Sequence, residues 1–226
     1  MAHLQMLSTK ELTRPSGTAG SRRTTPCVAT ACPSTCTTRS GASSSPVTCI
    51  CWRRYLWGPG KAGTHRVLDC GSGIGRVTKG VFLPVFEKLE MADMMEHFLL
   101  HAHEEYLGAD ADRVETYYCF NLQEFTPPKN KYDVIWMQWV ACHLTDKDLM
   151  NFLIRCKKSL RPNGVIIIKD NMARQGCKLD PIDSSISRHL DIMKVIINKA
   201  GLEVLAVEKQ EGFPDVIMPV WMIAMQ

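Results

Sequence analysis

A chain of 226 residues, 45% of them hydrophobic and 22% charged, has enough apolar material for one sizeable domain and too little length for two. Its formal net charge of +4 is carried by scattered lysines and arginines, so basicity alone does not argue for a nucleic-acid groove. No apolar run approaches the roughly 20 residues of a membrane span, and Met1 to Lys10 lacks the apolar centre of a secretory signal. An intracellular protein with neither membrane nor nucleic acid as a direct partner is therefore expected.

From about Thr9 to Arg54 the chain is a mixture of Ser, Thr, Pro, Arg, Ala and Cys without helical or strand periodicity. Few large aliphatic residues occur there, so residues 1–54 are expected to be an atypical, disordered segment. Cys27, Cys32, Cys36, Cys49 and Cys51 form no Cys-x-x-Cys pair, and the only nearby histidine is His3, which disfavours zinc. No metal is expected. Cys70, Cys119, Cys142, Cys156 and Cys177 fall within or beside apolar segments and read as reduced thiols, mostly in the core.

After Arg54 apolar runs alternate with amphipathic segments, the pattern of β-α-β-α order and a parallel sheet, so residues 55–226 form the working domain. Strands are expected near Arg66 to Cys70, Leu89 to Ala92, Val114 to Phe120, Tyr132 to Gln138, Gly164 to Asp170, Leu202 to Lys209 and Val216 to Ala224. A helix is expected from Asp146 to Leu160, where Thr145 and Asp148 resemble a capping box and Pro162, Asn163 and Gly164 end it. Another helix should follow Asp183 or Ser184 and stop before Gly201, a natural residue just past a helix end.

The first strand runs directly into Gly71-Ser72-Gly73-Ile74-Gly75-Arg76 and then a helical stretch. Ligands of open α/β sheets bind beyond the carboxyl ends of the strands, where glycines allow a tight turn and close approach to the backbone. The dinucleotide fingerprint needs a glycine where Arg76 stands, which argues against NAD or FAD, and no Gly-Lys-Ser or Gly-Lys-Thr marks a P-loop. The string Asp-x-Gly-x-Gly-x-Gly from Asp69 instead resembles motif I of the class I methyltransferases. Asp93, after the second strand, then stands where the ribose hydroxyls of S-adenosyl-L-methionine are held. Arg76 can meet the carboxylate of the methionine moiety through a charge-assisted contact. The same residues also read as a solvated first-turn arginine and a helix N-cap.

Further along, Phe120-Asn121-Leu122-Gln123-Glu124-Phe125-Thr126-Pro127, Tyr132-Asp133-Val134-Ile135-Trp136-Met137-Gln138-Trp139 and His143-Leu144-Thr145-Asp146 are more particular. With Arg161-Pro162-Asn163-Gly164, Lys169-Asp170-Asn171 and Leu179-Asp180-Pro181-Ile182-Asp183-Ser184-Ser185 they resemble the alpha N-terminal protein methyltransferases over about Tyr55 to Gln226. The ending Gly212-Phe213-Pro214 with Met218-Pro219-Val220-Trp221 looks closer to the B-type paralogue. The resemblance implies a class I methyltransferase (Rossmann-like) α/β fold, with a seven-stranded, mostly parallel sheet and helices on both faces. It implies S-adenosyl-L-methionine bound by Gly71, Arg76, Asp93, Leu122, Gln123 and Gln138. It implies protein substrates beginning X-Pro-Lys or X-Pro-Arg, held by Trp139, Asn171, Asp180 and Ser185, with His143 and Asp183 catalytic. Residence in the nucleus, with some in the cytoplasm, and association with itself or a paralogue are further expectations of the resemblance. Family members carry an aromatic-rich helical segment and a Gly-Gly-Tyr-Gly turn before this region. Nothing between Met1 and Arg54 matches it, and the abrupt join near Arg54 is the pattern a misplaced exon or shifted reading frame produces.

The chemistry of a terminal amine suits such a site. With a pKa near 7.8 it is roughly a quarter neutral at about pH 7.4, whereas freeing a lysine amine costs about 4 kcal/mol. Histidine is the usual proton acceptor near neutral pH, so His143 can take the proton directly or through water, with Asp183 holding the ammonium beforehand. Asp180 can pair with the basic third residue of the peptide, Asn171 can bond its backbone, and Trp139 can wall its proline. Residue physics alone leaves other readings open: a loop histidine, a helix cap at Asp183 or Ser184, a core tryptophan. A non-catalytic binding partner and a small-molecule methyltransferase are the rival functions.

Overall fold

The protein, seen in a computed structural model, is described here over residues 6–8, 52–212 and 217–226. Strands β1 (Met6–Ser8), β2 (Arg66–Cys70), β3 (Lys88–Asp93), β4 (Val114–Cys119), β5 (Tyr132–Gln138) and β6 (Leu160–Asn171) are followed by a hairpin, β7 (Cys177–Asp180) and β8 (Ser185–Arg188). Strands β9 (Val204–Lys209) and β10 (Val220–Met225) follow, and among the described residues three α-helices, α1 (Glu96–His101), α2 (Asp146–Ser159) and α3 (Leu190–Lys199), lie between strands. The main sheet has the order β1-β4-β3-β2-β5-β6-β10-β9. From β4 to β6 all neighbours are parallel, while β10 runs antiparallel to both β6 and β9. Chain order reverses between β2 and β5, the point of an open α/β sheet beyond whose carboxyl edge ligands bind.

Both faces of the sheet are covered, and alternate residues of each central strand supply the two sides. Leu68, Ile135, Met137, Ile166 and Ile168 face α2 and α3 in one apolar cluster. Val67, Val134, Trp136, Val165 and Ile167 face the other, where Trp52 stacks on Phe86 with ring centroids 6.0 Å apart. Each fully buried Val, Leu, Ile or Phe of these clusters contributes about 1.5–3 kcal/mol. The apolar runs in the sequence are continuous because these strands have no face toward water.

Helix α2 forms as the capping pattern predicts: Asp148 N–H donates to Thr145 Oγ1 at 3.1 Å, and the Thr145 hydroxyl donates to Asp148 Oδ2 at 2.7 Å. Leu149, Phe152, Leu153 and Cys156, at helical spacing, are buried beneath it. Acidic residues in its first turn and Lys157 and Lys158 in its last match the dipole.

Several expectations are corrected. Strand β6 begins at Leu160 rather than Gly164, because Leu160 already pairs with Tyr132 before a register shift brings Val165 opposite Val134. The residues between bulge outward, with Asn163 at φ 64°. No helix starts at Asp183 or Ser184. Asp183 accepts the Ser185 N–H at 2.9 Å and Ser184 takes φ 59°, a turn that sends Ser185–Arg188 back along Cys177–Asp180 as a strand. Helix α3 starts at Leu190, capped by His189. Strand β9 begins at Val204, and β10 spans Val220–Met225; the expected start of the last strand at Val216 lies outside the described residues. Seven strands of the main sheet come from Arg66–Met225, and β1 adds an eighth, antiparallel to β4.

Among the described residues no helix is long and apolar enough to cross a membrane, and no cluster of His, Cys, Asp and Glu could hold a metal ion. Cys70 and Cys156 are buried free thiols, Cys119 and Cys142 are half-buried, and Cys177 is exposed, so the core holds fewer of them than expected. The amino-terminal cysteines lie outside the described residues.

Candidate active site

The glycine loop is built by crossing of the chain at the end of β2. Gly71 has φ 69°, and its N–H donates to the Ala92 carbonyl at 2.8 Å, tying β2 to β3. A Cβ on Gly71 would come within 2.5 Å of Val140 Cβ, so the loops after β2 and β5 touch there, and only glycine permits it. Gly73, at φ 54°, faces open space instead: nothing lies within 4 Å of where its Cβ would stand. Its N–H donates to Asp93 Oδ2 at 2.8 Å, and the Met95 N–H donates to Asp93 Oδ1 at 2.9 Å. Asp93 therefore accepts from two backbone N–H groups, while Met95, not Asp93, stands at the N-cap of α1. Asp93 braces the loop and the entry to α1, while each of its oxygens retains acceptor capacity toward a ribose hydroxyl. Arg76, at the mouth of the loop, is exposed and has no hydrogen-bond or ion-pair partner among the described residues.

Behind the loop Asp69 is buried, and the Thr78 hydroxyl donates to it at 2.6 Å. Burial pushes its carboxyl up to about 7; the Thr78 hydrogen bond opposes this and the nearby charge of Asp93 adds to it. Ser72 Oγ is buried without a partner in the same loop. The open face at Gly73, an orphaned polar atom at Ser72, an uncommitted Arg76 and a carboxylate at Asp93 form a cradle that fits a charged nucleoside carrying a carboxylate.

The other expected cofactor residues extend the same edge. Leu122 is buried and Gln123 exposed in the loop after β4, which is held by Arg155: its Nη2 donates to the Leu122 carbonyl at 2.8 Å and the Gln123 carbonyl at 2.9 Å. Gln138 ends β5 and accepts from Trp136 Nε1 at 3.3 Å.

Beyond β5 the chain turns sharply, with Trp139 at φ 52°. Its indole Nε1–H donates to Asn171 Oδ1 at 2.8 Å, joining the ends of β5 and β6. His143 is exposed at the end of the short 3-10 turn Ala141–His143. Asp183 sits at the tip of the hairpin, where the Ser185 hydroxyl and then the Ser185 N–H lower its pKa, with the charge of His143 contributing. His143, Asp183 and Ser185 thus share one patch. Asp180 stands on the other side of the hairpin turn, exposed, with Oδ1 accepting the Ile182 N–H at 2.9 Å and its other oxygen free of that bond.

Two buried residues of this region were not singled out from sequence. Asp170, on β6, accepts the N–H of its neighbour Asn171 at 2.8 Å and of Cys142 at 3.1 Å. Burial pushes its carboxyl up to about 6, against those hydrogen bonds and the charge of Arg188. Arg188 ends β8 and is wholly buried. Asp170 lay inside the recognised Lys169-Asp170-Asn171 string, but Arg188 carries no local signal, since a lone arginine in a serine-rich stretch reads as a surface residue.

Glycine loop and sheet order define the fold class of the S-adenosylmethionine-dependent methyltransferases. A solved S-adenosylmethionine-dependent methyltransferase of Leishmania major superposes with a TM-score of 0.70 at 34% identity, covering 75% of this chain and 67% of that one. The Burkholderia thailandensis 1,6-didemethyltoxoflavin-N1-methyltransferase, solved with S-adenosylhomocysteine, shares the fold at a TM-score of 0.60 and 16% identity, covering 72% of this chain and 70% of that one. Residues 52–226 match the family model described as AdoMet dependent proline di-methyltransferase, and the chain belongs to that family, whose cofactor is S-adenosylmethionine. The N-terminal Xaa-Pro-Lys N-methyltransferase 2 of Danio rerio is 78% identical over 169 residues, and these cover 75% of this chain and 61% of the relative. The human N-terminal Xaa-Pro-Lys N-methyltransferase 1 is 54% identical over 169 residues, 75% of each chain. The chain thus spans about three fifths of the zebrafish relative's length.

Proposed function

We propose that this chain methylates the α-amino group of proteins whose amino terminus reads X-Pro-Lys or X-Pro-Arg. The observation that carries the reading is the pairing of two half-sites across one sheet edge. Gly73 bonds Asp93 at the ends of β2 and β3, Trp139 bonds Asn171 at the ends of β5 and β6, and Asp183 feels the charge of His143.

When bound, S-adenosylmethionine supplies an electrophilic methyl carbon on a sulfonium sulfur. Gly71, Arg76, Asp93, Leu122, Gln123 and Gln138 would hold it, the backbone at Gly73 giving room for close approach. Asp183, held in its charged form by Ser185, receives and orients the terminal ammonium. His143 takes the proton that must leave before the nitrogen lone pair can attack, directly or through one water. Asn171 spends its carbonyl oxygen on Trp139, which leaves its amide N–H groups to bond the peptide backbone. The Trp139 ring offers an apolar wall for the second-position proline, and Asp180 a carboxylate for the basic third residue. Bound cofactor would give its methyl group to that nitrogen and leave as the thioether, so the work of these residues is to hold the amine in line with the sulfonium, and that orientation carries most of the acceleration.

The test is direct. The full chain is mixed with isotope-labelled cofactor and a peptide beginning Ser-Pro-Lys, and mass spectrometry locates the added mass. Label at the terminal amine, abolished by acetylating that amine, is the expected result. A folded chain that binds cofactor and transfers nothing is a binding partner, and one that labels only free small amines is a small-molecule enzyme; either outcome overturns the reading.

A further inference from the structure

We infer that Arg188 is the positioning residue that fixes the His143 turn against the Asp183 turn. This inference rests on the proposed function for its catalytic readout, but its structural readout is independent of it.

Arg188 is 2% exposed, and every described bond of its guanidinium goes to the segment that carries His143. Nη1 donates to the Ala141 carbonyl at 3.2 Å and Nη2 to the Leu144 carbonyl at 2.5 Å, so the two bonds bracket Cys142 and His143. Nε donates to Asp146 Oδ1 at 2.6 Å, at the first residue of α2. A buried arginine without an anion would be costly, and Asp146 supplies the counter-charge from the surface. Asp170, whose carboxylate also feels the charge of Arg188, accepts the Cys142 N–H at 3.1 Å, so the turn is held by β6 as well as by the hairpin.

The hairpin completes the link. Arg188 is the last residue of β8, paired with Cys177, and Ser185 is the first, paired with Asp180. The Ser185 N–H and hydroxyl are what hold Asp183. One four-residue strand therefore ends at the guanidinium that grips the His143 turn and begins at the serine that orients Asp183. Arginine suits this task because its planar fork meets several acceptors in one fixed geometry; a lysine ammonium reaches them only as a point charge.

The experiment uses the full chain and three variants, Arg188→Gln, Arg188→Lys and Asp146→Asn, the last removing only the exposed partner. Thermal unfolding shows which variants fold, and calorimetry measures cofactor affinity. Hydrogen exchange is read at the amides of Cys142 and His143, with the amides of β5 as internal reference. In folded Arg188→Gln those two amides are expected to exchange at least roughly tenfold faster while β5 is unchanged. Peptide methylation is expected to fall about 10²-fold in kcat, with cofactor affinity within about twofold. Arg188→Lys should recover part of the loss, and Asp146→Asn should show the same pattern more weakly. Combined with His143→Ala, Arg188→Gln should add little further loss, because it acts through His143.

Unchanged exchange at Cys142 and His143 in a folded variant overturns the inference whatever the activity. Fully additive losses with His143→Ala overturn it as well. If Arg188→Gln does not fold, exchange in Asp146→Asn decides alone. A wild-type chain with no methyl transfer would sink the proposed function, while the exchange comparison would still decide for or against Arg188 as the grip on this turn.

Discussion

The indole N–H of Trp139 donates to the side-chain oxygen of Asn171 at 2.8 Å, and this bond joins the ends of β5 and β6. It orients two residues at once: the ring is held for the proline, and the Asn171 amide is turned so that its N–H groups face outward from the bond. Trp139→Phe keeps the apolar wall and removes the donor. We expect peptide kcat/KM to drop about tenfold, near 1.4 kcal/mol, with cofactor affinity unchanged in calorimetry. An undiminished kcat/KM would show that the bond does not orient Asn171 for substrate.

His143 and Asp183 are expected to act on the amine and not on cofactor binding. Asp183→Asn keeps an oxygen for the Ser185 N–H, so the turn should persist while the charge is lost. Methylation should fall about 10²-fold in this variant and in His143→Ala, within the range of general acid–base contributions. Loss of cofactor binding by a folded His143→Ala chain would place His143 in the other half of the site.

Charge reversal at Asp180→Lys should act through the third residue of the peptide. For a Ser-Pro-Lys peptide we expect KM to rise about tenfold, in keeping with an exposed ion pair turned repulsive. A Ser-Pro-Ala peptide should be affected far less. Equal losses for both peptides would remove Asp180 from recognition.

The two glycines of the loop should respond differently to the same substitution. Gly71→Ala drives a methyl group to 2.5 Å from Val140 Cβ at a positive φ, so a stability loss of about 3 kcal/mol or more is expected in chemical denaturation. Gly73→Ala meets open space, so only about 1–2 kcal/mol of backbone strain should appear. Its cost should show instead in weaker cofactor binding. A Gly73→Ala chain with wild-type affinity would mean that the ligand does not approach the backbone there.

Buried Asp69 gives stability a pH dependence of defined sign. Its carboxyl stands at about 7 in the fold against an ordinary 3.8, so the native state holds a proton where the unfolded chain has lost it. Stability should therefore fall as pH climbs from about 4 toward 7 and level off above. Relative to Asp69→Asn, the wild-type chain should lose roughly 3 kcal/mol more between about pH 5 and pH 8, measured by urea unfolding. Parallel pH profiles for the two chains would contradict the burial effect.

Much of this architecture is legible from residues alone, for identifiable reasons. Strands Arg66–Cys70 and Tyr132–Gln138 are read with their observed limits, because central parallel strands are continuous apolar runs bounded by turn residues. Helix α2 is legible through its cap and its buried stripe. Residue pattern alone reads the hairpin as the start of a helix. Asp183 and Ser184 are good helix caps in isolation, and only pairing with Cys177–Asp180 makes Ser185–Arg188 a strand. That pairing is between chain segments and leaves no local periodicity to read.

The amino-acid order alone determined the alternation of strands and helices, the glycine loop with its acidic partner at Asp93, and the family the chain resembles, because these rest on spacings within short stretches. Which groups meet was decided only by the folded chain. Val140 closes on Gly71, Trp139 bonds Asn171, and the guanidinium of Arg188 passes under the His143 turn from a strand more than forty residues later. Those contacts depend on the sheet bringing distant strand ends to one edge, and on burial making an unpaired polar group too costly to leave there.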